Sequence, residues 1–301
     1  MSKGILETLS GLAVRYLNEQ RLRALRSAYL SARKSFYPLM KIVYGTFDAA
    51  ELRAHLAQRI ESDFEILMVH SSVNNMQPMF TDNALDLVKM LIDFCGNTRT
   101  LAMPAFYFGE PDIGGAFATF QQRPRFDLKR APSQMGLATE LFRRMPGVVQ
   151  SRHPVYRVSA LGPLAKEITA GHEFAEYPNG VGSPFDFMAK RNTRIIGIGK
   201  PFQVLTQAHH VEGLMGDEFP VKRGTRSNLK ITVIDKNDEI TVTLTGGGPL
   251  GRFNIWKLRD IMEPEQLQEW TFHRVPMFAA RAAEVTSSLV AAAKRGVTLY
   301  E

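Results

Sequence analysis

The sequence predicts a layered α/β/α fold with a mixed sheet, preceded by a basic helical extension at the N-terminus. Short apolar segments alternate with helical patterns over most of the chain, which is typical of strands packed between helices. Two segments near the C-terminus alternate apolar and polar residues around a polar turn, which predicts an antiparallel hairpin. With 45% apolar residues among 301, the chain is long enough to bury a sizeable core.

The N-terminal extension is predicted to cover residues 1–45. Apolar residues recur at helical spacing over about residues 5–33, and arginines fill the positions between them. Residues 1–45 carry eight basic and two acidic side chains, so their net charge is +6. A basic amphipathic helix of this kind can pack against its own domain or a partner subunit, or it can lie on an anionic membrane surface. Both alternatives stay open here, and so does the oligomeric state.

The domain is predicted to cover residues 46–301, and its elements follow from caps, apolar runs and turns. Thr46 is the expected N-cap of a helix over residues 49–59. Apolar runs too short for helices predict strands, and apolar residues three or four apart predict helices. In order, these are strand 65–70, helix 82–94, strand 100–104, helix 135–144 and strand 194–199, the last ending at Gly199. The hairpin then pairs residues 229–234 with 240–244, and two helical stretches follow it.

Charge and composition exclude several classes of function. The net charge is +7, nearly all of it in the extension, whereas a nucleic-acid binder would show a basic stripe beside a recognition motif. The sequence has no run of about eighteen apolar residues and no pattern of a secretory signal, so a cytoplasmic protein is expected. A single cysteine, Cys95, excludes an internal disulfide framework and a multi-cysteine zinc site.

His209 and Glu212 are the candidate catalytic residues. They lie three residues apart in a segment that reads Thr-Gln-Ala-His-His-Val-Glu, and a helix would place both on one face. A carboxylate that binds one imidazole nitrogen leaves the other free to act as a general base near neutral pH. The same spacing also occurs on ordinary surface helices. His210 would point away from this face and is read as structural, and a metal site at these three residues would need further ligands from elsewhere.

Several other short motifs occur in a fixed order before this segment. They are His70-Ser71-Ser72, Met103-Pro104-Ala105-Phe106, Pro132-Ser133-Gln134-Met135-Gly136 and Ser151-Arg152-His153-Pro154. Together with the His209 segment, these motifs resemble the aminoglycoside 3-N-acetyltransferase family. The resemblance runs from about Phe47 to the C-terminus. It implies transfer of an acetyl group from acetyl-CoA to an amino group of a sugar-like acceptor, without a metal.

The resemblance also implies roles for these motifs. It places His70, Ser71 and Ser72, with Ser133, Met135 and Gly136, along the acetyl-CoA cleft. Ser133 is in addition the expected cap of the helix that follows. The oxyanion would be met by backbone N–H groups near Ser71 or Ser72, or by a serine hydroxyl.

Two residues are candidates for contact with the acceptor. Asp82 can bind a cationic acceptor or cap the helix over residues 82–94. His153 can line the cleft or serve only the turn in which it lies.

Three alternatives for the function remain open, and the first two differ in the acceptor. The basic extension favours an amino sugar linked to a nucleotide or a lipid, as in surface polysaccharide synthesis, because both carry phosphate. The second alternative is an aminoglycoside antibiotic, which implies a resistance enzyme. The third is a scaffold protein that keeps the fold but has no turnover.

Overall fold

A computed structural model describes residues 34–301 of the chain. The helix predicted over residues 5–33 lies outside the described residues. Backbone contacts divide the chain into Met1–Thr46 and Phe47–Glu301. The described part of the first unit contains helix α1 (Tyr37–Tyr44), which has a proline in its first turn, where no N–H is needed.

The unit Phe47–Glu301 contains nine helices and ten strands. The helices are α2 (Ala49–Arg59), α3 (Val73–Met76), α4 (Ala84–Cys95), α5 (Ala116–Gln122), α6 (Leu137–Phe142), α7 (Ala165–Thr169), α8 (Pro184–Ala189), α9 (His210–Met215) and α10 (Ala282–Lys294). The strands are β1 (Ile66–Ser71), β2 (Thr100–Pro104), β3 (Arg125–Asp127), β4 (Val149–Gln150), β5 (Val158–Leu161), β6 (Thr193–Ile198), β7 (Asn228–Asp235), β8 (Asp238–Thr245), β9 (Leu267–Phe272) and β10 (Val275–Arg281). Short 3-10 helices lie between them, including Thr206–His209 and Ile255–Asp260.

Seven strands form the main sheet, in the order β4-β5-β2-β1-β6-β10-β9. The three central strands β2, β1 and β6 are parallel. β5 and β10 flank them in antiparallel orientation, and β4 and β9 pair antiparallel with β5 and β10. The predicted mixed α/β fold is therefore confirmed. Every residue of β1 and β6 is buried, which explains why both read as continuous apolar runs rather than alternating ones.

The predicted hairpin is confirmed as β7 and β8, but it is not part of the main sheet. It forms a second sheet with β3, which runs parallel to β7. The expectation that this hairpin makes the main sheet mixed was wrong. The antiparallel pairs of the main sheet come instead from β4 and β5 on one side and from β9 and β10 on the other. The two predicted C-terminal helical stretches correspond to Ile255–Asp260 and α10, with β9 and β10 between them.

Helices cover both faces of the main sheet. Ile66 and Met68 of β1 pack in one apolar cluster with Val285 and Leu289 of α10. The intervening β1 residues are equally buried, and α4 lies against β2 and also contacts α2 and α6. Because side chains alternate across a strand, both faces of the central strands are core.

Three predicted helix caps are wrong in detail. Asp48 rather than Thr46 caps α2, and it does so with Glu51 in a reciprocal capping box. Asn83 rather than Asp82 caps α4. Gly136 rather than Ser133 stands at the N-cap of α6, with a φ of 112° that favours glycine.

Within residues 34–301, no helix combines the length and the apolar character that crossing a bilayer requires.

Candidate active site

The candidate site lies where the central parallel strands end. Because β2, β1 and β6 are parallel, the segments that follow them emerge at one edge of the sheet. Gly199, just after β6, approaches the turn after β1 so closely that an added Cβ would lie 2.6 Å from the Ser72 carbonyl oxygen. The 70–72, 103–106 and 199–209 segments therefore begin side by side.

His209 and Glu212 form the predicted pair. His209 ends the 3-10 helix Thr206–His209, and α9 begins at the next residue, so Glu212 lies in the first turn of α9. The His209 Nδ1 atom lies 2.7 Å from Glu212 Oε1. A carboxylate only accepts hydrogen bonds, so Nδ1 carries the proton and Nε2 is left as the basic nitrogen. The His209 side chain is 34% exposed and that of Glu212 is 10% exposed, so the imidazole can reach a substrate while the carboxylate stays sheltered.

Glu212 has a second hydrogen-bond donor that the sequence did not reveal. The Tyr300 hydroxyl donates to Glu212 Oε1 at 2.8 Å. Burial and the adjacent carboxylate raise the pKa of Tyr300 far above its ordinary value, so it stays a donor. Burial and the same carboxylate also raise the pKa of Tyr156.

Two contacts position His209, one on the face of its ring and one on its backbone carbonyl. The Phe253 ring stacks on it, with ring centroids 4.3 Å apart and an interplanar angle of 26°. The Asn179 side chain donates to the His209 carbonyl oxygen. The Asn179 carbonyl in turn accepts from His210 Nδ1 at 2.6 Å, so His210 has the structural contact expected of it. Burial lowers the pKa of His210, which keeps this buried ring neutral.

Two glycines allow the Asn179 loop to approach α9. A Cβ on Gly213 would lie 2.6 Å from the Gly180 Cα atom, and a Cβ on Gly180 would lie 2.9 Å from the Gly213 carbonyl oxygen. These distances are shorter than any ordinary contact, so the two backbones meet directly. This close approach sets the position of α9 and of the pair it carries.

Arg223 fixes the other end of α9. Its Nη2 donates at 2.6 Å to the Glu212 carbonyl oxygen, which also accepts the Gly216 N–H at the end of the helix. The guanidinium also lies over the Tyr177 ring, 4.4 Å from the centroid.

A pocket of about 220 Å3 opens over the pair. The residues that line it are Tyr156, Tyr177, Pro178, Asn179, His209, Glu212, Gly213, Arg223, Leu244, Thr245, Gly246, Gly247, Gly248 and Pro249. The three adjacent glycines, which the sequence predicts only as a local hinge or a tight turn, form one wall of this pocket.

The His70-Ser71-Ser72 turn stands at the end of β1. His70 and Ser71 are buried, and their Nδ1 and Oγ atoms have no hydrogen-bond partner in the described part of the chain. Burial lowers the pKa of His70 to about 4, so its ring is neutral. The Ser72 N–H donates to the Ile198 carbonyl at 2.9 Å. The Ser72 N–H is therefore already engaged by a backbone carbonyl, and the choice of oxyanion donor stays a prediction.

The 133–136 segment lies at the end of β2. Gln134 joins the two, because its N–H donates to the Phe106 carbonyl and its side-chain oxygen accepts from the Phe108 N–H. The Ser133 hydroxyl accepts from the Met135 N–H at 3.2 Å, which makes a turn rather than a helix cap. Phe106 also packs edge-on against Tyr156 of the pocket, with centroids 5.2 Å apart.

His153 lies beneath the site rather than in its wall. It is fully buried, and its Nδ1 atom accepts the N–H groups of Val155 and Tyr156 at 3.1 and 2.9 Å. The His172 ring stacks on it at 4.7 Å. Burial lowers the pKa of His153 well below its ordinary value and that of His172 to about 4. His153 thus has a clear part in the turn, and its contact with an acceptor stays a prediction.

Asp82 accepts a hydrogen bond from the Ala49 N–H at 2.8 Å, so it supports the start of α2 rather than that of its own helix. Its contact with an acceptor also stays a prediction. Among residues 34–301, no three His, Cys, Asp or Glu side chains are grouped so that they could hold a metal ion.

Comparison with known proteins identifies the family. A family model described as aminoglycoside 3-N-acetyltransferase matches residues 68–293, three quarters of the chain. The chain belongs to this family. The resemblance carried by the motifs is thereby confirmed.

Individual relatives match more narrowly. Aminoglycoside N(3)-acetyltransferase IX of Micromonospora chalcea is 25% identical over 179 residues, which cover 56% of this chain and 63% of the relative. Aminoglycoside N(3)-acetyltransferase VII of Streptomyces paromomycinus is 37% identical over 104 residues, covering 34% of this chain and 35% of the relative. The chain thus matches less than two thirds of the length of these relatives.

The solved structure of AAC-IIIb in a binary complex with CoASH superposes with a TM-score of 0.68 at 20% identity, covering 85% of this chain and 99% of that one. This likeness shows that the two share a fold.

Sequence reasoning missed four residues that hold or surround the pair: Asn179, Arg223, Phe253 and Tyr300. None lies within a recognised motif, and Tyr300 is 88 positions from Glu212. The turn signal at Pro178-Asn179-Gly180 and the three glycines at 246–248 were the visible traces of the pocket.

Proposed function

We propose that this protein transfers an acetyl group from acetyl-CoA to an amino group of an aminoglycoside. The observation that supports the proposal best is the His209–Glu212 hydrogen bond of 2.7 Å at the rim of a pocket, in a chain of this family. In the described residues, His209 Nε2 has no hydrogen-bond partner, as a general base requires.

The pair suits direct attack by an amine on a thioester. His209 Nε2 takes the proton from the attacking amine, and Glu212 stabilises the imidazolium that forms. A C–N bond forms while the C–S bond of the thioester breaks, and the proton on Nε2 passes to the departing thiolate. No nucleophile of the protein is needed, which agrees with the position of Cys95 as a buried residue whose pKa burial raises to about 12.

The cleft for acetyl-CoA is proposed to run along the 70–72 turn and residues Ser133, Met135 and Gly136. These segments adjoin the pocket through the ends of β1 and β2 and through Phe106. Because the Ser72 N–H is already engaged, we propose that a serine hydroxyl of that turn is the oxyanion donor.

An aminoglycoside is the better supported acceptor because the family model and the curated relatives carry that name. An amino sugar of surface polysaccharide synthesis has no support from these relatives. The main observation in favour of such an amino sugar was the positive charge of residues 1–45, and most of that segment lies outside residues 34–301. We keep as proposals that residues 1–45 form a separate extension and residues 46–301 the transferase domain.

Turnover of acetyl-CoA, followed by release of the thiol, tests the proposal directly. A panel of aminoglycosides and nucleotide-linked amino sugars serves as acceptors. We expect turnover with an aminoglycoside, and His209→Ala should lower kcat by roughly a hundredfold or more while leaving CoA binding intact. His273→Asn, in the β9–β10 turn, is the matched control.

Each outcome of this assay has a distinct meaning. Turnover with a nucleotide-linked sugar alone would replace the acceptor class. CoA binding without turnover on any acceptor, or turnover unaffected by His209→Ala, would refute the proposal. Absence of CoA binding in calorimetry would favour the scaffold alternative.

A further inference from the structure

The C-terminal residues of the chain are tied to the segment around Phe253. The Arg252 N–H donates to the Glu301 carbonyl and the Glu301 N–H to the Arg252 carbonyl, each at 3.0 Å. The Asn254 N–H donates to the Leu299 carbonyl at 2.6 Å. We call residues 252–254 and 299–301 the C-terminal strap.

Each half of the strap sends one ring to the catalytic pair. Phe253 stacks on the His209 imidazole, and Tyr300 donates its hydroxyl to the Glu212 carboxylate. The two rings also meet edge to face, with centroids 5.3 Å apart. The strap therefore contacts both members of the pair, and neither ring is among the residues that line the pocket.

Both donors converge on one oxygen. Glu212 Oε1 receives the His209 Nδ1–H at 2.7 Å and the Tyr300 hydroxyl at 2.8 Å. The second donor restrains the torsion of the carboxylate more tightly than the His209 bond would alone. We propose that Tyr300 is a positioning residue whose hydroxyl holds the Glu212 carboxylate in the orientation that orients His209. Tyr300 lies beyond the 68–293 span of the family match.

Few other charged or titratable groups face this carboxylate. Tyr156 lies close enough for its pKa to respond to the Glu212 charge. Arg223 donates to the backbone carbonyl of Glu212 rather than to its carboxylate. In the described chain, His209 and Tyr300 are thus the two side chains that donate to the carboxylate itself.

Loss of the Tyr300 hydroxyl should change the acid limb of the pH profile in a defined direction. Without this donor, the negative charge on Glu212 is less stabilised and interacts more strongly with the His209 imidazolium. A less stable carboxylate and a more stable imidazolium both take up a proton at higher pH. The acid limb of kcat/KM should therefore move to higher pH.

Tyr300→Phe tests the proposal, which in its kinetic part rests on the proposed function. The phenylalanine keeps the ring contacts with Phe253 and Phe219. We expect kcat to fall roughly tenfold, as for loss of a hydrogen bond to a charged group, with KM changed less than about twofold. Tyr107→Phe is the matched control, because the Tyr107 hydroxyl makes an equivalent bond of 2.7 Å to Glu110.

A double variant shows whether Tyr300 acts through Glu212. In a Glu212→Gln background, Tyr300→Phe should lower kcat by less than about twofold, because the group that it positions is already lost. An equal loss in both backgrounds would overturn the proposal, and so would an acid limb that stays fixed or moves to lower pH. A Tyr107→Phe variant as impaired as Tyr300→Phe would likewise reduce the effect to one of general stability.

A measurement without turnover separates this inference from the proposed function. The ¹H–¹⁵N NMR signals of His209, assigned by their loss in His209→Gln, report the pKa of its ring in the resting protein. That pKa should be higher in Tyr300→Phe than in the wild type. An unchanged value would refute the positioning role, whereas absence of turnover in the wild type, with the expected shift present, would refute only the acetyltransferase assignment.

Discussion

At the scale of single residues, the sequence predicted the pair but not what holds it. Spacing alone suggested that His209 and Glu212 share a face, and they do bond, at a junction between a 3-10 helix and α9. Tyr300, Phe253 and Asn179 were not predictable, because their contacts depend on long-range folding. Motifs at strand ends were informative because parallel strands bring them to one edge.

The Glu212 carboxylate is testable through Glu212→Gln. The amide can present an N–H to His209 Nδ1 and so favour the wrong tautomer, and it cannot stabilise the imidazolium. We expect kcat to fall roughly a hundredfold. The acid limb of kcat/KM should move to lower pH, opposite to the shift expected for Tyr300→Phe, because the imidazolium loses its counter-charge.

Glu176→Gln is the control for this substitution. Glu176 is an exposed carboxylate that pairs with Arg226 at 2.6 Å. Its loss should leave kcat within about twofold, since exposed pairs contribute little. Comparable activities for the two variants in steady-state assays would contradict the role assigned to Glu212.

At the scale of elements, strands were predicted more accurately than helix starts. The bounds of β2 agree with the prediction, because a buried run is visible in composition alone. The predicted helix caps were one to three residues away from the observed ones. The conformation of the preceding loop decides which side chain can reach the first N–H groups of the helix, and the sequence does not reveal that conformation. β9 and β10 were missed because their turn uses His273 and Arg274 at φ 47° and 64° instead of a recognisable Asn-Gly pair.

The packing of α9 on the Asn179 loop can be tested by Gly213→Ala. Alanine would normally stabilise a helix by about 1 kcal/mol relative to glycine. Here its Cβ would lie 2.6 Å from the Gly180 Cα atom, and overpacking against backbone costs about 1–3 kcal/mol or more. We therefore expect a lower Tm and, because α9 carries Glu212, a lower kcat.

Gly248→Ala provides the matched comparison for this steric argument. Gly248 lines the same pocket, and an added Cβ would meet nothing within 4 Å. Thermal unfolding should show Gly248→Ala close to the wild type. A Gly213→Ala variant as stable as Gly248→Ala would mean that the contact between the two backbones is looser than the structure indicates.

At the scale of the whole molecule, the layered sheet was predictable but the second sheet was not. β3 has three residues, too few to form a recognisable pattern, yet it pairs with β7 and joins the hairpin to the rest of the domain. That arrangement brings the residues after β8 to the pocket. The shape of the pocket therefore depends on a long-range pairing that β3 is too short to reveal in the sequence.

Four buried histidines make the whole fold sensitive to acid. Burial lowers the pKa of His70 and His172 to about 4, that of His153 well below its ordinary value, and that of His210 in the same direction. Above about pH 6.5, the ordinary value for histidine, the ring is neutral in both folded and unfolded chains, so this stability is fully present. As pH falls from 6.5 towards 4, the unfolded chain binds protons that the folded chain does not, and stability is lost. His70 and His172 can each contribute up to about 3 kcal/mol of this loss, at about 1.4 kcal/mol per pKa unit.

Urea unfolding at several pH values between 7.5 and 4.5 measures this loss. The free energy of unfolding should fall across the window with a slope that corresponds to uptake of up to one proton by each of these rings at its acid end. His172→Asn removes one titrating ring together with its bonds to Ser151 and Pro178, so it should be less stable at pH 7.5 but show a shallower slope. The slope distinguishes titration from lost packing, since lost packing lowers stability equally at every pH. Parallel curves for wild type and variant would show that the buried His172 ring does not resist protonation.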